Sequence, residues 1–341
     1  MAAFEEEDRP ALLIAGGAGY IGSHVCKAVA EAGYLPVTYD NLMSGHAWAV
    51  RWGPLEGGDL QDPARLDEVM RRYRPVAVIH LAGLIISSES VRDPALYYAH
   101  NVAGTLCLLD AMRRNGIERI VFSSSAAVYG EPEVSPISEQ HPQLPVSPYG
   151  DSKRMVETIL RDYARAYGLH SVSLRYFNAA GASSCGDIGE AHHIETHLVP
   201  LILEVAAGER AALSIYGADY PTRDGTCLRD YVHVCDLADA HVLALQYLQQ
   251  AVGAHAFNLG HGQGATVREV LATAGQVTGR KIPTRIEQRR PGDPAILLAD
   301  ATRARRVLGW QPAVSDLETI VASAWRWHQS ILHRKQAYSN E

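Results

Sequence analysis

The sequence predicts an α/β fold, a doubly wound parallel sheet with a smaller mixed α/β C-terminal domain. Three observations carry that expectation. Short apolar runs alternate with amphipathic stretches through the first half of the 341 residues. A glycine cluster joins the first apolar run to the first helical stretch. Beyond Asn178 the texture changes, with Gly, Pro, Asp and His frequent up to Thr226.

Residues 11–15 form an apolar run ending at glycines, the mark of a strand buried on both faces. Residues 24–32 read as a helix closed by Gly33, and 36–39 as a strand ending at Asp40. Residues 76–81 and 120–122 are further strands, each preceded by a helical pattern, at 64–73 and 102–115. An amphipathic stretch from Lys153 to about Tyr167 precedes the apolar run 171–176. This alternation is that of a Rossmann-type sheet. The expected division is 1–178 for the dinucleotide-binding domain and 179–341 for the second, with segments near 233–260 returning to the first.

Composition excludes several classes. A net charge of −7 argues against a nucleic-acid surface. No apolar run approaches the ~18 residues that span a bilayer. The acidic N-terminus lacks the pattern of a signal peptide, so a cytoplasmic location is expected. The five cysteines are scattered and form no Cys-x-x-Cys pair, which makes disulfides or a thiolate metal site improbable.

Gly16, Gly19 and Gly22 follow a strand and open a helix, the context a dinucleotide fingerprint requires. Glycines there let the backbone approach a pyrophosphate, and the helix N-terminus favours its charge. Asp40 lies 18 residues after Gly22 at a strand end, placed to accept from an adenosine ribose. A carboxylate there repels a 2′-phosphate, so the expected cofactor is NAD. Asp59 and Leu60 are candidates for adenine contact, and Leu81, Ala82 and Gly83 mark another strand end where a cofactor can approach.

Tyr149 and Lys153 are four residues apart, on one face if the segment is helical. A free tyrosine is a poor base at neutral pH, with a pKa of about 10. A neighbouring ammonium favours the phenolate. Together with the fingerprint and the serine triplet Ser123, Ser124 and Ser125 between them, the pair describes a site that moves a proton and a hydride.

This order of motifs resembles the extended short-chain dehydrogenase/reductase superfamily, and the chain is similar to its UDP-galactose 4-epimerase family. The resemblance runs from about Leu12 to Trp327. The runs at 16–24, 122–130 and 147–153 carry it, as do 174–181, 225–234 and 289–293. It implies inversion at sugar C4, interconverting UDP-glucose and UDP-galactose through a transient 4-keto sugar with tightly bound NAD. Tyr149 would be the acid and base, Lys153 would hold the nicotinamide ribose, and Ser125 would bond the 4-hydroxyl. Tyr20, Ile21, Asn41, Asn101, Ser123 and Tyr176 would also line the cofactor. Phe177, Asn178, His197, Leu198, Tyr216, Arg229, Arg290 and Asp293 would hold the UDP-sugar, and a homodimer through helices at 102–114 and 153–167 is implied. Ile85 stands where many members of that family carry a lysine on a cofactor phosphate, and Ala127 and Leu297 depart at sugar-pocket positions, which leaves the preferred sugar open.

UDP-pentoses and UDP-N-acetylhexosamines remain alternative substrates, because the C4 chemistry is the same. A dehydratase would need an acid and a base just after the serine run, where Ala126 and Ala127 stand. A plain NAD-dependent dehydrogenase or a non-catalytic NAD sensor are further alternatives. His193 and His197 stand four apart, but no His-Glu-x-x-His pattern accompanies them, so no metal is expected.

Overall fold

The computed structural model describes residues 9–290 and 293–339, with side chains as far as 331. Residues 1–8, and Pro291 and Gly292 of the run at 289–293, lie outside the described residues.

Seven strands form one parallel sheet. Their order is Ala254–Leu259, His170–Tyr176, Arg119–Ser125, Ala77–His80, Ala11–Ala15, Leu35–Asp40 and Leu55–Gly57. Alternate residues of the first strand face opposite layers. Leu12 and Ile14 pack with Val25, Val29 and Leu237, whereas Leu13 packs with Leu66, Val69 and Leu108. Burial on both faces is why the run is apolar at every position. Strand order reverses between Ala11–Ala15 and Ala77–His80, so ligands are expected beyond the carboxyl ends of that pair.

Three boundaries differ from the sequence expectation in ways that bear on the site. The first helix is Tyr20–Glu31, four residues longer at its start, so Tyr20, Ile21 and Gly22 lie in its first turn. The fifth strand is Arg119–Ser125, and all three serines belong to it. Serine and glycine have weak intrinsic preference for these states, and tertiary pairing overrides it. Ahead of the Gly104–Arg114 helix, Tyr98–Ala103 is a π-helical turn that contains Asn101. Such turns recur at functional positions.

The Pro148–Tyr167 helix has explicit end signals. Ser147 caps it by accepting from Gly150 N at 3.2 Å, Pro148 starts it, and Gly168 at φ +73° closes it.

After residue 178 the chain contributes to two cores. Val199, Ile202, Leu203, Val270, Ile320 and Val321 build a second one. The Val234–Tyr247 helix, the Ala254–Leu259 strand and the 301–310 segment with Trp310 join the first. Asp236 ties that last segment down. Its carbonyl accepts from Trp310 Nε1 at 2.8 Å, and its carboxylate accepts from Ala313 N at 2.9 Å and Val314 N at 3.1 Å. Among the described residues no helix is long and apolar enough to cross a membrane.

Candidate active site

The fingerprint glycines sit at the switch point. Gly16 has φ +83°, and a Cβ there would lie 2.5 Å from Ala82 N. A Cβ on Gly22 would lie 2.0 Å from Gly16 O. Gly19 caps the Tyr20–Glu31 helix, and no described side chain caps that end. Bare N–H groups at a helix start, in a cradle only glycine permits, fit a pyrophosphate. The Asp40 carboxylate lies at the adjacent strand end, accepting from Ala18 N at 3.0 Å and Leu42 N at 2.9 Å. Asn41 Nδ2 donates to Asp59 Oδ2 at 2.7 Å, so these two expected contacts meet, beside Leu60. On these grounds the residues fit NAD.

Gly83 approaches the catalytic side. A Cβ there would lie 2.9 Å from Asn101 Oδ1 and 3.7 Å from Lys153 Nζ. Asn101 clamps the loop, accepting from Leu84 N at 2.8 Å and donating to Leu84 O and to Ser152 Oγ, each at 3.0 Å. Leu81 N bonds Ala15 O at 2.8 Å, which holds the two strand ends together.

Tyr149 and Lys153 share one face of the Pro148–Tyr167 helix, with Lys153 Nζ 5.9 Å from the tyrosine ring centre. Lys153 is 3% exposed and donates to Ser123 O at 2.9 Å. Burial pushes its ammonium down to about 8. Burial raises the Tyr149 phenol, and the Ser125 hydroxyl pulls the other way. Desolvation disfavours both charged forms here. Ser125 Oγ accepts from Ala127 N at 3.1 Å, and Ser123 Oγ bonds the buried Tyr176 hydroxyl.

Seven residues expected to hold the sugar nucleotide line a single cavity: Asn178, His197, Leu198, Tyr216, Arg229, Arg290 and Asp293. Arg229 forms an ion pair with Asp293 and donates to Leu228 O at 2.8 Å. The Arg290 guanidinium lies 3.9 Å over the Tyr216 ring. His197 caps the Leu198–Ala207 helix. Burial disfavours its charge, but Glu190 and Glu195 outweigh burial and raise it to about 10. Phe177 and Leu297 pack together on Ala126, Val128 and Tyr129. Of the departures, Ile85 is 43% exposed, and Ala127 O stands 2.5 Å from where a Cβ on Gly150 would be.

Sequence reasoning missed what positions the Pro148–Tyr167 helix. Glu157 is buried and accepts from Arg175 Nε at 2.8 Å, Arg175 Nη2 at 2.5 Å, Ser124 Oγ at 2.6 Å and Gln143 Nε2 at 2.9 Å. The available signal was Arg175 inside a strand that is otherwise apolar or small, since a charge buried there needs a partner. Tyr20 stands in the first turn of the fingerprint helix, and its hydroxyl donates to Gly181 O at 2.6 Å. The His193 ring lies 5.2 Å from the His46 ring, and it is His192 whose ring lies 5.2 Å from that of His197.

Fold and cofactor cradle together define an NAD-dependent α/β enzyme. The chain belongs to the NAD dependent epimerase/dehydratase family, whose pattern matches residues 12–260. It is 51% identical over 317 residues to a UDP-glucose 4-epimerase of Rhizobium leguminosarum bv. trifolii, covering 93% of this chain and 97% of the relative. The crystal structure of UDP-glucose 4-epimerase from Brucella ovis in complex with NAD is 51% identical, with a TM-score of 0.91, covering 93% of this chain and 97% of that one. A UDP-glucose 4-epimerase from Stenotrophomonas maltophila, solved with NAD and formylated UDP-arabinopyranose, is 39% identical. Its TM-score is 0.93, over 96% of this chain and 100% of that one.

Proposed function

We propose that this chain is a UDP-glucose 4-epimerase. It interconverts UDP-glucose and UDP-galactose through a transient 4-keto sugar, with NAD kept between turnovers. One observation carries the reading. Residues scattered from 178 to 293 meet in one cavity. That cavity begins two residues after Tyr176, which pairs with Ser125 in the sheet. The nucleotide grip and the reacting end are therefore adjacent.

NAD, when bound, accepts the C4 hydride and gives it back. Ser125 holds the sugar 4-hydroxyl and Tyr149 removes its proton. Lys153 supplies fixed positive charge beside the nicotinamide ribose. After the flat 4-keto sugar turns over, Tyr149 returns the proton. General acid–base help of this kind is worth roughly 10²–10⁴-fold. Arg229 and Arg290 hold the diphosphate, with Asp293, Asn178 and Tyr216 at the nucleoside, while the sugar end rotates.

The remaining assignments belong to the same proposal. The catalytic set is Tyr149, Lys153 and Ser125. Residues 1–178 with the returning segments bind NAD, and the rest binds the sugar nucleotide. Five free thiols support a cytoplasmic setting. Exposed Leu106 and Tyr167, one on each of two helices, support a homodimer through them. A molar mass from light scattering equal to one chain would remove that element.

The test is incubation with UDP-galactose and no added NAD, with UDP-glucose quantified and the NADH absorbance followed. Product without net NADH is the expected result. No conversion of UDP-galactose, UDP-arabinose or UDP-N-acetylgalactosamine would sink the epimerase reading.

A further inference from the structure

The loop that leads into the sugar-nucleotide cavity carries a four-residue cluster that the proposed reaction does not use in full. Glu190, His192, Glu195 and His197 each present one ligand atom, and all four atoms lie within 4.8 Å of one another. His197 Nδ1 is 2.8 Å from Glu190 Oε1 and 3.0 Å from Glu195 Oε1. His192 Nδ1 is 3.2 Å from Glu190 Oε1 and 3.5 Å from Glu195 Oε2. Nitrogen and oxygen ligands at ~2.0–2.2 Å around a tetrahedral zinc lie roughly 3.3–3.6 Å apart, and the observed spacings approach that range.

Direction is a second, independent observation. Among these four approaches only His197 Nδ1 to Glu195 Oε1 has hydrogen-bond geometry. Glu190 Oε1 and His192 Nδ1 are buried atoms with no hydrogen-bond partner among the described residues, and the Glu190 side chain is 7% exposed. A buried carboxylate oxygen beside two imidazole nitrogens, not aligned with either, suits a shared cation.

We infer that Glu190, His192, Glu195 and His197 form a structural site for a divalent transition metal, zinc by ligand type. Imidazole with carboxylate suits zinc, and four protein ligands leave no open position for catalysis. The metal replaces the protons on the two Nδ1 atoms, which pass to solvent. The surroundings are organised to hold the ligands. Glu195 Oε1 accepts from Thr196 N and His197 N, both at 2.7 Å, and Glu190 O accepts from Trp327 Nε1 at 2.8 Å. The Tyr20 ring lies 6.4 Å from the His192 ring. The site pins the loop between the Tyr20–Glu31 helix and the Leu198–Ala207 helix.

The test is metal content of the untagged full chain by inductively coupled plasma mass spectrometry, after zinc loading and dialysis. One equivalent of zinc per chain is expected. Chelation should lower the melting temperature, and zinc should restore it. Cobalt(II) in place of zinc should give the visible absorption of a tetrahedral site, a readout independent of any variant. His192→Ala should lose the metal, and His193→Ala should keep it. Substoichiometric zinc with an unchanged melting temperature, or equal zinc in His192→Ala, overturns the inference and leaves a proton-held ion-pair cluster. Bound NAD and epimerisation, measured on the same samples, separate this outcome from failure of the proposed activity.

Discussion

Replacing Glu157 by glutamine tests the network beneath the helix that carries Tyr149 and Lys153. The carboxylate accepts two bonds from Arg175, at 2.8 and 2.5 Å, and one each from Ser124 and Gln143. Glutamine is nearly isosteric, but it carries no charge and turns an amide donor toward the guanidinium donors. Arg175 is then a buried cation without compensation, since its other bonds go to the Tyr129 hydroxyl at 2.8 Å and Glu139 O at 3.4 Å. Removing one partner of such a pair costs about 3–5 kcal/mol. That is a large part of the ~5–15 kcal/mol that holds a domain folded. At a urea slope of ~1–3 kcal/mol per molar, the midpoint should fall by about 1 M or more. The pH dependence has a definite sign. Burial opposes ionisation of Glu157, but Arg175, Ser124 and Gln143 outweigh it and hold the carboxyl below its usual range. The contribution is complete above the unfolded value of ~4.3 and vanishes as pH falls through the lower folded value. The gap between wild type and variant should therefore close in acid. A loss below ~1 kcal/mol at neutral pH, or a gap that acid leaves unchanged, refutes the reasoning.

Tyr149→Phe should reduce kcat by roughly 10²–10⁴-fold while NAD content and the KM for UDP-galactose stay near wild type. In the wild type kcat should rise with pH, because burial raises the phenol. Gly22→Ala should yield protein without bound NAD, as read by absorbance after denaturation, since its Cβ would lie 2.0 Å from Gly16 O. Arg229→Lys should raise KM for UDP-sugars about tenfold and leave kcat of saturated enzyme much less affected, because a point charge replaces a two-pronged donor. Equal loss in kcat and kcat/KM would move Arg229 from binding to the chemical step.

The first βαβ unit was legible in the sequence because its signals are local: the apolar run 11–15, the glycines and Asp40 lie within one stretch. The Tyr149–Lys153 pair was legible from its four-residue spacing and the motifs upstream, and the Pro148–Tyr167 helix that the spacing needs is present. The cavity residues were placed by resemblance, not by pattern. Asn178 and Tyr231 meet only through strand pairing across more than 50 positions, which no periodicity encodes. The Glu157–Arg175 pairing was not read, because the partner of a buried charge is set by how helix and sheet pack and not by either residue. The cluster at Glu190 was obscured for a different reason. Helical spacing favoured His193 with His197, but the segment before Leu198 is an irregular loop, which puts His192 there instead.

Asp40 shows what this arrangement means for redesign. Its two oxygens hold the backbone at Ala18 and Leu42, and Leu42 stands at φ +58°. The carboxylate that repels a 2′-phosphate is therefore also the brace of the turn that faces it. Swapping the cofactor for its phosphorylated form is a problem in loop reconstruction, where charge and backbone must be rewritten together. A single substitution that removes the charge also loosens the turn in which the phosphate would have to sit.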